Sequence, residues 1–422
     1  MICKLAASAA FFAICLLLGC DKSDAMSPIV DLQVSDYLAQ GTAVPLLVQY
    51  QGRLLAFWRG YTSKETKQLS GLPRIPKEFM RGSWTAGDNT AVFVNRFDAG
   101  RWSHPSMLVF GDVQCDPIYA WSDDRGLNLI VQLGDDTSSH LLLDSQEKWQ
   151  QIRHFSESKD SIFVPQGIQQ HGNELHAVTF DQTKLCYWRY DGKAWHGPLV
   201  IEDKVKFNGT WGYFRPRLAV ADSGDVHVVW NTQADPSHVV IRNDKIVSKK
   251  SIPLVPRVEK GDEIDVEALA DGGMLLAYQV DEDAAEARQN SIYVSIFKDG
   301  KWEVTSPAPS GGGTVIGDMQ LIAHEGEILL LWRHKQEVRS GGFFASGPTA
   351  SYTVRNVDGV WTQPICIKPM SADPAAAADI GGEPTFYSFC CTADGQTSLI
   401  WADYTVYVTK LFTFAGKQPV TH

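Results

Sequence analysis

Arg215-Pro216-Arg217-Leu218-Ala219-Val220-Ala221-Asp222-Ser223-Gly224-Asp225-Val226-His227-Val228-Val229-Trp230 reads as two short apolar strands joined by an Asp-Ser-Gly turn, the second strand ending on a tryptophan. Variants of this hairpin recur along the chain. Further first strands open near Pro117, Pro165, Asp265, Asp318 and Pro384, and second strands cover Asn128–Leu133, Glu174–Phe180, Met274–Val280, Glu327–Trp332 and Thr397–Trp401. The earliest copy is Val44–Tyr50, a Gln-Gly turn and Leu54–Trp58. A hairpin repeated about seven times cannot bury both faces alone, so the copies must stack on one another.

Third and fourth strands are joined by turns that run into tryptophan: Asp191-Gly192-Lys193-Ala194-Trp195, Asp299-Gly300-Lys301-Trp302 and Asp358-Gly359-Val360-Trp361. Repeats of roughly 50 residues and four strands are blades of an all-β propeller. The second strands give seven blades, with six as the alternative. The last repeat supplies three strands, and the alternating segment Pro28–Asp36 is expected to complete it and close the ring, removing an exposed edge.

The beginning of the chain reads as an address. Lys4 precedes an apolar run from Leu5 to Leu18, too short for a membrane anchor. The run ends in Leu17-Leu18-Gly19-Cys20, which resembles the lipobox of bacterial lipoproteins and implies cleavage before Cys20 and its acylation. The expected organisation is a signal peptide over residues 1–19, a lipidated tether over 20–27 and one propeller domain over 28–422. Asp21 favours the periplasmic side of the inner membrane, with the outer membrane as the alternative. The mature chain holds Cys115, Cys186, Cys366, Cys390 and Cys391, an odd number without a Cys-x-x-Cys pair, and these read as small buried hydrophobes. Lys and Arg total 38 against 49 Asp and Glu, with no basic block, which argues against a nucleic-acid partner.

The Asp-Gly-x-Trp turns resemble degenerate Asp-box (BNR-like) turns of the sialidase superfamily. Val44-Pro45-Leu46-Leu47 through Gly52-Arg53-Leu54-Leu55-Ala56-Phe57 is similar to the opening blade of those enzymes. The resemblance implies a propeller with three arginines gripping a sugar carboxylate, because a planar guanidinium pairs both oxygens at once. Ala43 stands where the first of them belongs. A hydrolase of the usual design is therefore not expected. Arg74-Ile75-Pro76 spells the family tripeptide inside an insertion and is read as coincidence.

In such a blade the connection into the first strand and the loop between the second and third emerge on the same face. The long segments Arg59–Asn89, Asp281–Asn290, Arg333–Thr349, Asp203–Phe214, Ser306–Gly317 and Pro369–Gly382 fall in those slots. On that face Tyr213 and Arg215 are the candidate catalytic pair, a phenol beside a cation, with Asp88 in the region of the sialidase acid. The alternative for Arg215 is a structural pair with Asp116 or Glu383. Candidate ligand-binding residues are Arg59, Trp84, Trp211, Arg333, His334, Glu383, Asp403 and Tyr404. His171 and His176 flank a turn and are expected in solvent, and His227 is expected within its blade. No spacing of His, Cys or carboxylates suggests a metal site, and no cofactor is expected.

The expected function is recognition, by a lipid-anchored monomer, of a glycan or a periplasmic envelope protein, without hydrolysis. The alternatives are a polysaccharide lyase or glycosidase acting on acidic glycans, or a periplasmic inhibitor or immunity-type protein. A lyase needs a cation against the uronate carboxylate and a Tyr or His at the α-proton.

Overall fold

The computed structural model describes strands and tight turns between residues 31 and 413. Residues 1–30, 36–44, 62–71, 80–89, 111–114, 134–136, 156–164, 181–183, 206–215, 232–234, 255–263, 283–288, 310–313, 336–337, 341–342, 346–347, 368–385, 392–395, 403–405 and 414–422, with a few single or paired positions, lie outside the description.

The chain is an all-β propeller. After β1 (Asp31–Ser35), the first blade is β2 (Leu46–Tyr50), β3 (Arg53–Tyr61), β4 (Thr90–Asp98) and β5 (Arg101–Trp102), with β6 (Ser106–Phe110) also on β4. The second is β7 (Cys115–Asp123), β8 (Gly126–Leu133), β9 (Thr137–Asp144) and β10 (Trp149–Phe155); the third is β11 (Pro165–His171), β12 (Glu174–Phe180), β13 (Leu185–Tyr190) and β14 (Trp195–Glu202). The fourth is β15 (Arg217–Val220), β16 (Val226–Trp230), β17 (Ser237–Arg242) and β18 (Lys245–Ser251). The fifth is β19 (Ile264–Ala268), β20 (Met274–Glu282), β21 (Gln289–Lys298) and β22 (Lys301–Trp302), with β23 (Ser306–Pro307) on β21.

The sixth blade is β24 (Thr314–His324), β25 (Glu327–Lys335), β28 (Pro348–Arg355) and β29 (Ile365–Ile367), and a small hairpin, β26 (Val338–Ser340) and β27 (Phe343–Ala345), is inserted in it. These six sheets are each built from consecutive segments. A further sheet is composite: β30 (Phe386–Cys391), β31 (Gln396–Ala402) and β32 (Val406–Thr413) are completed by β1, with Leu32 opposite Val408. The expected closure by an N-terminal strand is therefore what the chain does. The innermost strands form an unbroken ring, in the order β2, β7, β11, β15, β19, β24, β30 and back to β2.

Two-residue periodicity explains the packing. Successive side chains of a strand point to opposite faces, and a central strand of a blade is covered on both. Val226, Val228 and Trp230 pack with Leu185 and Tyr187 of the third blade, whereas Val229 between them packs with Met274 and Leu276 of the fifth. Likewise Leu127, Leu129 and Val131 join the first blade, and Ile130 joins the third. The core is thus a series of layers between blades. Trp58, Trp230 and Trp332, toward the ends of second strands, are fully buried in those layers. The outermost β18 is exposed and carries Lys245, Lys249 and Lys250, charges that keep a free edge from recruiting another strand.

The turn chemistry works as the sequence suggests. Gln51 and Gly52 both have positive φ, 49° and 71°, as a two-residue hairpin matched to strand twist requires. Asp191 accepts the amides of Lys193 and Ala194, and this turn delivers Trp195 to the preceding blade, where its indole N–H donates to His140 Nδ1 at 3.1 Å. Trp302 repeats the arrangement with His238 at 3.3 Å. The tryptophans after these turns are therefore wedges between blades.

Several expectations change. The segments placed in loops at Arg333–Thr349, Asp281–Asn290 and Ser306–Gly317 contain strand, because β25 runs to Lys335, β20 to Glu282, and β24 begins at Thr314. Part of the first insertion packs between blades: Ile75 is buried, its amide donates to the Leu108 carbonyl, and Trp149 Nε1 donates to the Pro73 carbonyl. Arg74-Ile75-Pro76 opens no strand. His176 is buried, its ring stacked on Tyr187 and Nδ1 2.7 Å from that hydroxyl, since the face expected in solvent is covered. His227 lies in its blade as expected, 3.0 Å from His238. Cys115 and Cys186 are buried and not in a disulfide among the described residues.

Candidate functional site

Each innermost strand is paired on one side only, so its other edge presents backbone amides and carbonyls toward the ring axis. Buried backbone groups must find partners, and here neighbouring blades provide side chains for them. Ser122 Oγ on β7 donates to the Gln49 carbonyl on β2 at 2.7 Å. Gln169 Oε1 on β11 accepts the Val220 amide of β15 at 2.9 Å. Asp265 Oδ2 on β19 accepts the Leu321 amide of β24 at 2.7 Å, and Glu267 accepts that of Ala323.

The charges near the axis are paired in the same way, from one blade to the next. Arg59, 2% exposed, places Nη1 2.6 Å from the Asp116 carboxylate of β7. Arg217 Nε on β15 lies 3.5 Å from Asp265 Oδ1 and donates to the Ile264 carbonyl. Gln169 Nε2 reaches past β15 to donate to Glu267 Oε1 at 3.0 Å, where the Ala268 amide also donates at 2.9 Å. Burial pushes the Glu267 carboxyl up to about 7, with Asp265 adding to the rise, against the lowering effect of these donors. Burial also raises Asp265, which Arg217 counteracts. A carboxyl that titrates near neutrality beside a second carboxyl and a guanidinium can hold or release a proton.

Of the residues singled out from the sequence, Arg59 is among those described. It lies inside β3, not in a loop, and its guanidinium is committed to Asp116. Asp116, a partner considered for Arg215, pairs with Arg59. Arg333 and His334 are strand residues of β25, opposite Ala350 and Thr349 of β28. Tyr213, Arg215, Asp88, Trp84, Trp211, Glu383, Asp403, Tyr404 and Cys20 lie outside the described residues. Gln169, Arg217, Asp265 and Glu267 escaped the sequence reading. The available signal was Ile264-Asp265-Val266-Glu267-Ala268, acids alternating with apolar residues on an innermost strand.

Ring, blade order and strand-by-strand closure define the class: a β-propeller. No family model matches the chain, and no curated protein matches it. Solved structures do resemble it. A polysaccharide lyase of family PL25, an ulvan lyase bound to -[GlcA(1-4)Rha3S]-, superposes with a TM-score of 0.52 at 10% identity, covering 91% of this chain and 96% of that one. The Aleuria aurantia lectin, in complex with alpha-methyl-L-fucoside, gives 0.41 at 15% identity over 72% of this chain and 93% of its own. The NanB sialidase from Streptococcus pneumoniae gives 0.37 at 11% identity over 92% and 71%. At these identities the likeness is one of fold.

Proposed function

We propose that this chain is a lipid-anchored envelope propeller that binds a glycan through the face bearing its long connections, without hydrolysing it. The observation that carries this reading is an asymmetry between the two faces. On one face strands join through tight turns such as Gln51-Gly52, Gly172-Asn173 and Asp299-Gly300. On the other, the connections are 62–89, 203–216, 252–263 and 368–385. Residues on variable connections over a rigid scaffold commonly carry recognition. Tyr213, Arg215, Trp84, Trp211, Glu383, Asp403 and Tyr404 belong to connections in those slots. Trp84 and Trp211 would stack on sugar rings and Arg215 would meet an acidic group.

Two observations favour binding over sialidase-type hydrolysis: Ala43 replaces the first arginine of the carboxylate clamp, and Arg59 and Arg217 are engaged by Asp116 and Asp265. A protein partner from the envelope, as for an inhibitor or immunity-type protector, would use the same face. The lyase alternative rests on Tyr213 beside Arg215, a base and a carboxylate clamp ahead of β15.

The experiment is to incubate the purified propeller with neutral, uronate-containing and sialylated polysaccharides, following retention by affinity electrophoresis and unsaturated product by ultraviolet absorbance. Retention without product is the expected result, weakened by Arg215→Ala. Unsaturated product abolished by Tyr213→Phe would establish the lyase instead, and no retention across the panel would overturn glycan binding. For the anchor, the full chain is expected to incorporate labelled palmitate and fractionate with membranes, and Cys20→Ser to do neither. A labelled Cys20→Ser protein would contradict it.

A further inference from the structure

The polar cluster at the axis has a property independent of what the long connections bind. β11 and β19 are not neighbours in the ring, since β15 stands between them. Gln169 nevertheless ties the three together, accepting from Val220 of β15 and donating to Glu267 of β19. The tie reaches β24 as well, through the Ala323 amide. Four consecutive blades thus meet at one carboxyl group that is 9% exposed.

The charges around that carboxyl do not balance. From its own strand Asp265 faces it, two residues away on the same side. From β15 the cation is Arg217, which engages Asp265 and the Ile264 carbonyl. From β11 the facing group is the neutral Gln169 amide. From β24 come backbone amides, with His324 the titratable residue next along that strand. Of these two largely buried acids, Asp265 is the one the Arg217 guanidinium engages. A buried charge without a partner is costly, and the cheaper solution is to keep one acid protonated.

We propose that the buried Glu267 carboxyl is a proton-sensitive latch of the ring: the folded propeller retains a proton on it, and ionising it beside Asp265, away from water, loosens the junction of the third to sixth blades. The raised titration of Glu267, about 7 against an ordinary value of 4.5, agrees with this arrangement. The sign follows from linkage. Between those two values the folded chain binds the proton and the unfolded chain does not, so this contribution to stability is lost as pH rises through the window.

The test is a carboxyl 13C NMR titration of the intact propeller, together with denaturant unfolding of the wild type and Glu267→Gln across the same pH range. One carboxyl is expected to titrate near about 7 in the wild type and to be missing in Glu267→Gln. Between about pH 5 and 7 the folded-to-unfolded ratio of the wild type should fall about 40-fold relative to the variant. Asp265→Asn should move the midpoint down by removing a neighbouring negative charge, and Gln169→Ala should move it up by removing a donor to the anion. The proposal is overturned if no carboxyl titrates above about pH 6, or if Glu267→Gln follows the wild-type pH profile. Should Glu267→Gln not fold, the wild-type titration and the Gln169→Ala shift decide the matter alone.

Discussion

Lowering the pH from about 7 to about 5 is expected to remove about 5 kcal/mol of folding stability, most of what a typical domain has. Four buried histidines set this result. Burial pushes His140 down to about 3 and His176 down to about 4, and it likewise holds the stacked pair His227 and His238 well below the ordinary histidine range. His140 and His238 each use Nδ1 to accept an indole N–H, from Trp195 and Trp302. Protonation would set donor against donor and break the wedge between blades. The folded chain therefore stays neutral at these sites while the unfolded chain, near 6.5, takes up protons. Stability present above that value is lost as pH falls below it.

Each histidine contributes about 2 kcal/mol over this range, and Glu267 offsets about 2 kcal/mol in the opposite sense. Unfolding near pH 5.5 should then take up about three protons net, read from the slope of unfolding free energy against pH. A slope below about one proton would mean that these rings are solvated in the folded chain.

Asp116→Ala is expected to cost about 3–5 kcal/mol, because it leaves the buried Arg59 guanidinium without its carboxylate. The pair joins the second strand of one blade to the innermost strand of the next, at 2.6 Å and with Arg59 2% exposed. The cost arises from keeping a charge out of water with less to compensate it, more than from the lost attraction. Replacing both residues with apolar ones of similar size, Arg59→Met with Asp116→Leu, should therefore recover most of the stability. Denaturant unfolding of the two variants separates these contributions. A loss below about 1 kcal/mol for Asp116→Ala would show that water reaches Arg59, returning it to the candidate ligand residues.

The blades could be read from local signals. Asp-Gly turns, tryptophans at strand ends and period-two alternation all act within a few residues, and they mark β12 at Glu174–Phe180 as the structure has it. What escaped depends on contacts between distant segments. Arg59-Gly60-Tyr61 looks like the start of a loop, while the partner Asp116 that its buried guanidinium meets lies 57 residues on. Ile264–Ala268 looks like a strand with one wet face, yet in a closed ring that face meets Arg217, Gln169 and the amides of β24. His176 beside a turn has no local mark of burial, because the third blade's neighbour covers it. The Pro73–Phe79 segment reads as insertion, while its carbonyls serve Trp149, Ser139 and Gln151 of the second blade. The axial cluster was therefore hidden behind topology. The candidate residues on the long connections follow from strand order alone.

The most direct test of the account is where a ligand lands. Hydrogen–deuterium exchange should be measured on the propeller with and without the polysaccharide it retains most strongly. Protection is predicted along 203–216, 368–385 and 403–405, with exchange unchanged at the tight turns around Gln51-Gly52, Gly172-Asn173 and Asp299-Gly300. Protection centred on those turns, with none along the long connections, would contradict it.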